Sequence, residues 1–286
     1  MEKIIDMHSH STYSDGELTP EELINKAKEK NIEYFSITDH YTNRGLKSIN
    51  KNDYKDINII NGIELSGSVN KGKMHILGYD YDLNNTYLNK ELNKLRDNSL
   101  NHVLSVKEKI KRDYNIIFGY DDIKEMINSD HNLNRVDVAK LCVKCGYADN
   151  IKDAFNRYLN SAFEKTRNLN KRLSYEEAID LIIKGGGIPV LAHPKSLELS
   201  ELELLKMIKC LISCGLKGIE VYHSTHSKEE MNLYLEIANK YDLLISGGSD
   251  FHGPVVKPNI ELGTGNNNLC IKKLSIIDEI NNRHKK

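Results

Sequence analysis

The sequence has almost no net charge: 40 Lys and Arg face 41 Asp and Glu, leaving −1 at pH 7. That excludes a global pull toward nucleic acid or an anionic membrane, so any anion site must be a local cluster. Long apolar runs are also missing. Nothing approaches the roughly 18 consecutive apolar residues a membrane-spanning helix needs. Met1-Glu2-Lys3 leads straight into a strand with no apolar h-region, so no signal peptide is expected and a cytoplasmic protein is. Cysteine is sparse and odd in number: Cys142, Cys145, Cys210, Cys214 and Cys270. In a reducing compartment this predicts free thiols. Cys142 and Cys145 sit late in a helical segment that runs into Gly146, whereas a redox pair opens a helix, where the dipole lowers the thiol pKa. A four-thiolate zinc site with Cys210 and Cys214 would need the fold to bring the pairs together, and small buried hydrophobes are the simpler reading.

What is present is an ordinary globular composition, 28% charged and 39% hydrophobic over 286 residues. That length suits one large α/β barrel or a barrel with a small insert. The chain is organised around Asp6-Met7-His8-Ser9-His10, followed by Ser14-Asp15-Gly16. An apolar lead-in predicts a strand over 3–8. Strand side chains alternate faces, so His8 and His10 point the same way and can grip one metal ion.

Further strands are predicted over 33–38, 57–65 and 73–80, with a helix between the first two opened by Thr19-Pro20-Glu21-Glu22. The alternation indicates parallel βαβ units. From about 84 to 172 the chain turns polar and helical. Leu92, Leu95, Ser99, His102, Val103, Val106 and Ile110 keep helical spacing, and two further helices carry Ile123-Met126-Ile127 and Val136-Val138-Ala139-Leu141-Cys142. We therefore divide the chain into a barrel part over 1–84, a helical insertion over 85–172 and a second barrel part over 173–286. In the last part, helices over 174–184, 200–213 and 227–240 separate strands over 188–192, 218–222 and 243–247. The tail after about Ile276 reads as a frayed helix.

Strand after strand ends in a metal-competent residue: His8 and His10, His40, Glu64, His193, then Asp250 and His252. In a parallel barrel these ends form the functional face. Imidazoles and carboxylates without thiolates suit Zn, Mn or Fe. A metal pair can clamp a phosphoryl group and turn a bridging water into hydroxide near neutral pH, and in-line attack on phosphorus then needs charge stabilisation above all.

The motifs Asp6-Met7-His8-Ser9-His10, Ile37-Thr38-Asp39-His40, Gly62-Ile63-Glu64, Ala192-His193-Pro194 and Gly248-Ser249-Asp250-Phe251-His252 resemble the PHP (polymerase and histidinol phosphatase) superfamily of metal-dependent phosphoesterases. The helical insert resembles the branch of nucleoside 3′,5′-bisphosphate phosphatases and 5′-to-3′ exoribonucleases. The resemblance implies a distorted (β/α)7 barrel with a small helical insertion, holding three divalent ions (Mn, Zn or Fe). It implies His8, His10, Glu64 and Asp250 on the first, Glu64 bridging to a second with His75 and His193, and Asp15, His40 and His252 on the third.

The implied reaction is phosphate hydrolysis, by a metal-bridged hydroxide, from nucleoside 3′,5′-bisphosphates or short 5′-phosphorylated RNA. His193, His223 and Asp250 are the candidate catalytic residues. His223 can contact phosphate or protonate a leaving oxygen. Arg135 is the candidate for holding a second phosphate, although relatives often carry histidine where this chain has Asp137. Lys165, Arg167 and Lys195 are weaker substrate contacts, and His226 reads as a helix-start residue. Alternatives are a histidinol-phosphate phosphatase, a non-catalytic metal-bound module, and an amidohydrolase acting on a C–N bond. No membrane and no obligate protein partner are expected.

Overall fold

The computed structural model describes residues 2–128, 133, 135–166 and 173–285. The chain divides into two compact units, Met1–Asn89 with Arg172–Lys286, and Lys90–Lys171. None of the described helices is long and apolar enough to cross a membrane.

The first unit is a nearly closed seven-stranded α/β barrel in strand order 1 to 7. The strands are β1 (Ile4–Asp6), β2 (Ile32–Ile37), β3 (Asn58–Gly67), β4 (Met74–Tyr79), β5 (Ile188–Leu191), β6 (Gly218–His223) and β7 (Leu244–Gly248). Met7 N–H donates to Gly247 O (3.1 Å) where β7 returns to β1. Around the strands run α1 (Pro20–Glu29) and α2 (Arg44–Ser48), and the chain then enters α3 (Thr86–Tyr114), which crosses into the second unit. The helical elements of that unit continue with α4 (Tyr120–Asn128), α5 (Arg135–Lys144), α6 (Ile151–Ala154), a π-helical turn over Phe155–Leu159 and α7 (Asn160–Lys165). Back in the barrel are α8 (Tyr175–Lys184), α9 (Glu201–Ser213), α10 (Lys228–Tyr241) and α11 (Ser275–Arg283).

The helix starts follow local chemistry. Thr19, Ser174 and Ser227 cap α1, α8 and α10 in reciprocal capping boxes with Glu22, Glu177 and Glu230, satisfying amide N–H groups that the first turn leaves open. The barrel layer buries Ile5, Met7, Leu77, Tyr79, Ile188 and Val190, and α1 adds Leu23, Ile24 and Ala27 against Ile32, Phe35 and Ile37. The insert has its own core, built on Val103, Val106, Ile110, Val138, Leu141, Leu159 and Phe163.

Four expectations are corrected. The fourth strand is not part of a parallel unit: β4 runs antiparallel to both β3 and β5. Residues 68–73 are too few for a crossover helix, so the chain can only turn back as a hairpin. The first strand is shorter than 3–8, and β3 runs on past Glu64 to Gly67. The tail is not frayed: α11 buries Ile276, Ile277 and Ile280 in the barrel core, and Arg283 pairs with Asp80 at 3.1 Å.

Candidate metal centre

The first two histidines lie just beyond β1, yet the alternation that places them survives. Ser9 bridges Phe251, Thr38 N–H donates to Ser9 O (2.8 Å), and His10 N–H donates to Phe251 O (2.9 Å). The segment is therefore held extended between the ends of β2 and β7, and His8 and His10 are both fully buried. Asp6 secures this junction, accepting N–H bonds from His8 (3.2 Å), Ser249 (2.9 Å) and Gly263 (2.7 Å). Gly248 is required beside it, since a Cβ there would lie 2.4 Å from His8 N.

The ends of the barrel strands bring the predicted ligands together. One group comprises His10, Asp15, His40 and His252; others comprise His8, His10 and Glu64, then His8, His193 and Asp250, then His40, Glu64 and His75. Glu64 belongs to two of these groups and sits between them. Its Oε1 lies 2.7 Å from His75 Nδ1 and 3.0 Å from His193 Nε2, while its Oε2 lies 3.1 Å from His10 Nε2 and 3.3 Å from His40 Nδ1. His75 joins because β4 is reversed. It is the second residue of its strand, and only an antiparallel strand begins where its neighbours end.

Hydrogen bonding around the rim fixes which imidazole nitrogen faces inward. Glu220 accepts from His8 Nδ1 (2.9 Å). Ser196 gives its hydroxyl hydrogen to Lys73 O (2.8 Å), so its oxygen accepts from His193 Nδ1 (2.9 Å). Ser14 likewise donates to Asp39 Oδ1 (2.7 Å) and lies 3.4 Å from His10 Nδ1. His252 Nδ1 donates to Asp250 O (2.9 Å). In the neutral form of each of these four rings, Nδ1 carries the hydrogen and Nε2 presents its lone pair to the cluster, the arrangement of a metal-binding histidine. His223 is the reverse. Its Nδ1 accepts from Thr225 N–H (3.1 Å), so in the neutral ring Nε2 carries the hydrogen, 3.3 Å from Asp250 Oδ2.

The residues fit a cationic occupant. His8 Nε2, His10 Nε2 and Asp15 Oδ1 are buried with no aligned hydrogen bond, although opposite charges crowd them. Such orphaned atoms are costly unless an ion satisfies them. Burial disfavours charge on His10, yet Asp250 and Glu64 overcome it and push its pKa up to about 9. Asp15, Glu64 and Asp250 are held well below the usual carboxylate range against the same penalty, mainly by His252, His75 and Lys257 respectively. Protons and a lysine thus stand in for the positive charge the donors are built to receive. His193 (φ +23°) and Asp250 (φ +57°) occupy left-handed backbone, a strain typical of functional sites.

Sequence reasoning passes over two residues here. Glu220 is fully buried in β6, with Oε2 accepting His193 N–H (2.7 Å) while Oε1 holds His8. A charged residue inside the apolar run of Gly218–His223 was the available signal. Lys257 ion-pairs with Asp250, and no motif marks it.

Among the described substrate candidates of the barrel unit, His223 joins this cluster. Arg135 and Lys165 belong to the other unit. There Arg135 stacks on Phe155 (5.0 Å) and Phe163 (5.2 Å) and donates to Asn160 Oδ1 (3.2 Å). Lys165 is exposed at the end of α7, and Arg167 lies outside the described residues. Lys195 turns to Glu230 (2.9 Å) and Thr225 O (3.0 Å). His226 is buried, its Nδ1 donating to Val221 O (2.9 Å). The cysteines are all unpaired, Cys142 and Cys145 in the insert unit and the other three in the barrel unit.

Comparison with known proteins agrees with this geometry. The chain is 30% identical over 264 residues to the 5′-3′ exoribonuclease Rnm of Escherichia coli (strain K12), covering 91% of this chain and 88% of that protein. It is 28% identical over 251 residues to a 3′,5′-nucleoside bisphosphate phosphatase of Chromobacterium violaceum, covering 87% of each. Among solved structures, a protein of Bifidobacterium adolescentis described as a metal-dependent phosphoesterase superposes with a TM-score of 0.81 at 26% identity, over 99% of this chain and 96% of that one. The PHP domain model matches residues 6–161, more than half of the sequence, and the chain belongs to the PHP domain family.

Proposed function

We propose that this protein hydrolyses a phosphate ester on a nucleotide that carries phosphates on both sides of its sugar, a nucleoside 3′,5′-bisphosphate or a short 5′-phosphorylated RNA. The chemical class is phosphoester hydrolysis, as in relatives named a bisphosphate phosphatase and an exoribonuclease. The observation that carries it is the inward presentation of Nε2 by His8, His10, His193 and His252 around the shared carboxylate of Glu64.

Three divalent ions (Mn, Zn or Fe) would be held by these donors: His8, His10, Glu64 and Asp250 for one, Glu64, His75 and His193 for another, and Asp15, His40 and His252 for the third. The chemistry such ions supply is Lewis-acid charge and activation of water. The chain's residues supply position. Thr225 fixes His223 with Nε2–H pointing at Asp250, and burial first of all holds the ring's pKa below its ordinary value, so His223 serves as a neutral donor to a phosphoryl or leaving oxygen. Arg135, already aligned on two phenylalanine rings, is the candidate clamp for the second phosphate, with Lys165 beside the same role. We propose the cytoplasm as the compartment of the reaction, a reading supported by the five free cysteines.

The test is inorganic phosphate release from adenosine 3′,5′-bisphosphate with and without added Mn²⁺, with histidinol phosphate as control. Release from the bisphosphate that is lost in His10→Ala is expected. Release from histidinol phosphate alone would refute the nucleotide assignment, and no release from either by metal-loaded protein would refute phosphoester hydrolysis.

A further inference from the structure

We propose that Lys257 is a phosphate-contacting cation of the metal centre, held on Asp250 until metal ions and an anionic substrate occupy the site. The inference deepens the phosphoesterase reading and rests on it. Lys257 follows β7, and its Nζ ion-pairs with Asp250 Oδ2. The other oxygen, Oδ1, lies 3.5 Å from His8 Nε2 and 3.3 Å from His10 Nε2. The lysine side chain is 34% exposed and the carboxylate side chain 9%, so the ammonium reaches from solvent into the buried cluster.

Its backbone is pinned. Glu17 Oε1 accepts N–H bonds from Val255 (2.7 Å) and Val256 (2.6 Å), and Lys257 N–H donates to Gly253 O (2.9 Å). Glu17 N–H in turn donates to His252 O (2.9 Å), which ties this loop to the segment carrying Asp15. Gly253 (φ +103°) allows the approach, because a Cβ there would lie 2.6 Å from Glu17 Cδ. The ammonium itself rides on a flexible four-carbon stem.

Asp250, were it to hold a divalent ion, would have less charge left for this ammonium, and like charge would then push Lys257 away. A phosphoryl group entering the site relieves the repulsion by accepting from the lysine. Lysine binds phosphate well as a point charge, without needing a guanidinium's planar geometry.

The experiment is titration calorimetry of inorganic phosphate into full-length, Mn²⁺-loaded wild type, Lys257→Ala, Lys257→Gln and Lys257→Arg, alongside Mn²⁺ titrations of the metal-free proteins. Phosphate should bind about tenfold more weakly to the Ala and Gln variants, with most of the loss restored by Arg, which keeps the charge. Mn²⁺ should bind all three variants at least as well as wild type. Phosphate affinity within about twofold of wild type, with Mn²⁺ bound more tightly, would overturn the inference and leave Lys257 as a stand-in for absent cations. Failure of loaded wild type to bind phosphate would overturn it too. Lys257-dependent phosphate binding without hydrolysis of adenosine 3′,5′-bisphosphate would sink the nucleotide assignment while the phosphate contact stands.

Discussion

Replacing Glu220 with Gln tests how the centre is oriented. Glu220 is fully buried and accepts two N–H groups, one on each oxygen: His8 Nδ1 at 2.9 Å and the His193 amide at 2.7 Å. Although burial opposes its charge, His8 foremost and then His223 hold its pKa down to about 2, so it is an anion at any working pH. Glutamine matches the shape but has only one accepting oxygen. Either His8 or the His193 amide must then face an NH₂ group. One charge-assisted hydrogen bond is lost, which costs about 1.5–3 kcal/mol. That corresponds to about 10–100-fold, the range in which partners that orient ligating histidines act on metal affinity. Mn²⁺ titration of the variant should show a loss of that size. Nitrogen-resolved NMR of the imidazoles should show His8 no longer locked with hydrogen on Nδ1, a signature that general destabilisation would not produce. Thermal unfolding of the metal-free variant separates any global cost. Mn²⁺ affinity within about twofold of wild type, with the His8 tautomer intact, would refute the argument.

Arg135→Ala should impair hydrolysis of bisphosphates by about tenfold or more while sparing simple phosphomonoesters; equal loss on both, by kcat/KM, would remove Arg135 from the distal phosphate. Burial pushes the Cys142 thiol up to about 11. Only about one thiol in a thousand is then ionised at pH 8, so iodoacetamide should modify exposed Cys210 and Cys270 and leave Cys142 intact by peptide mass mapping. Ile276→Ala should lower unfolding free energy in urea by about 2–4 kcal/mol, because Ile276 is fully buried, whereas a frayed tail would show almost no change.

What the sequence makes legible here is what strand punctuation encodes. His40, His193 and Asp250 each follow an apolar run that stops abruptly, and a barrel must gather such stops on one face, so their convergence follows from the pattern alone. His75 does not fit that logic, since it stands at the start of its strand, and the resemblance to the family is what singles it out. The direction of β4 was nevertheless written in the chain: residues 68–73 can close a hairpin but cannot hold a crossover helix. Reading that length first would have reversed the strand and delivered His75 to Glu64 by geometry. The tail failed for a different reason. Composition averages over a helix, and the polar residues of α11 hid a single apolar face of Ile276, Ile277 and Ile280.

Glu220 and Lys257 mark the limit of motif reading. A motif records candidate ligands, and these two residues contact such candidates, Glu220 at His8 and His193 and Lys257 at Asp250. Glu220 was still accessible to a physical rule, because a carboxylate in a strand buried at every position but Tyr222 needs donors, and histidines at neighbouring strand ends are the natural ones. Lys257 offered no such constraint. A lysine in an exposed loop satisfies every local rule whether or not it reaches the centre, and only the clamp that Glu17 forms on Val255 and Val256 gives its position meaning. Candidate ligand sets are therefore legible in periodicity and strand ends, whereas the groups that hold them in place become visible only when hydrogen-bond donors and acceptors are accounted for in three dimensions.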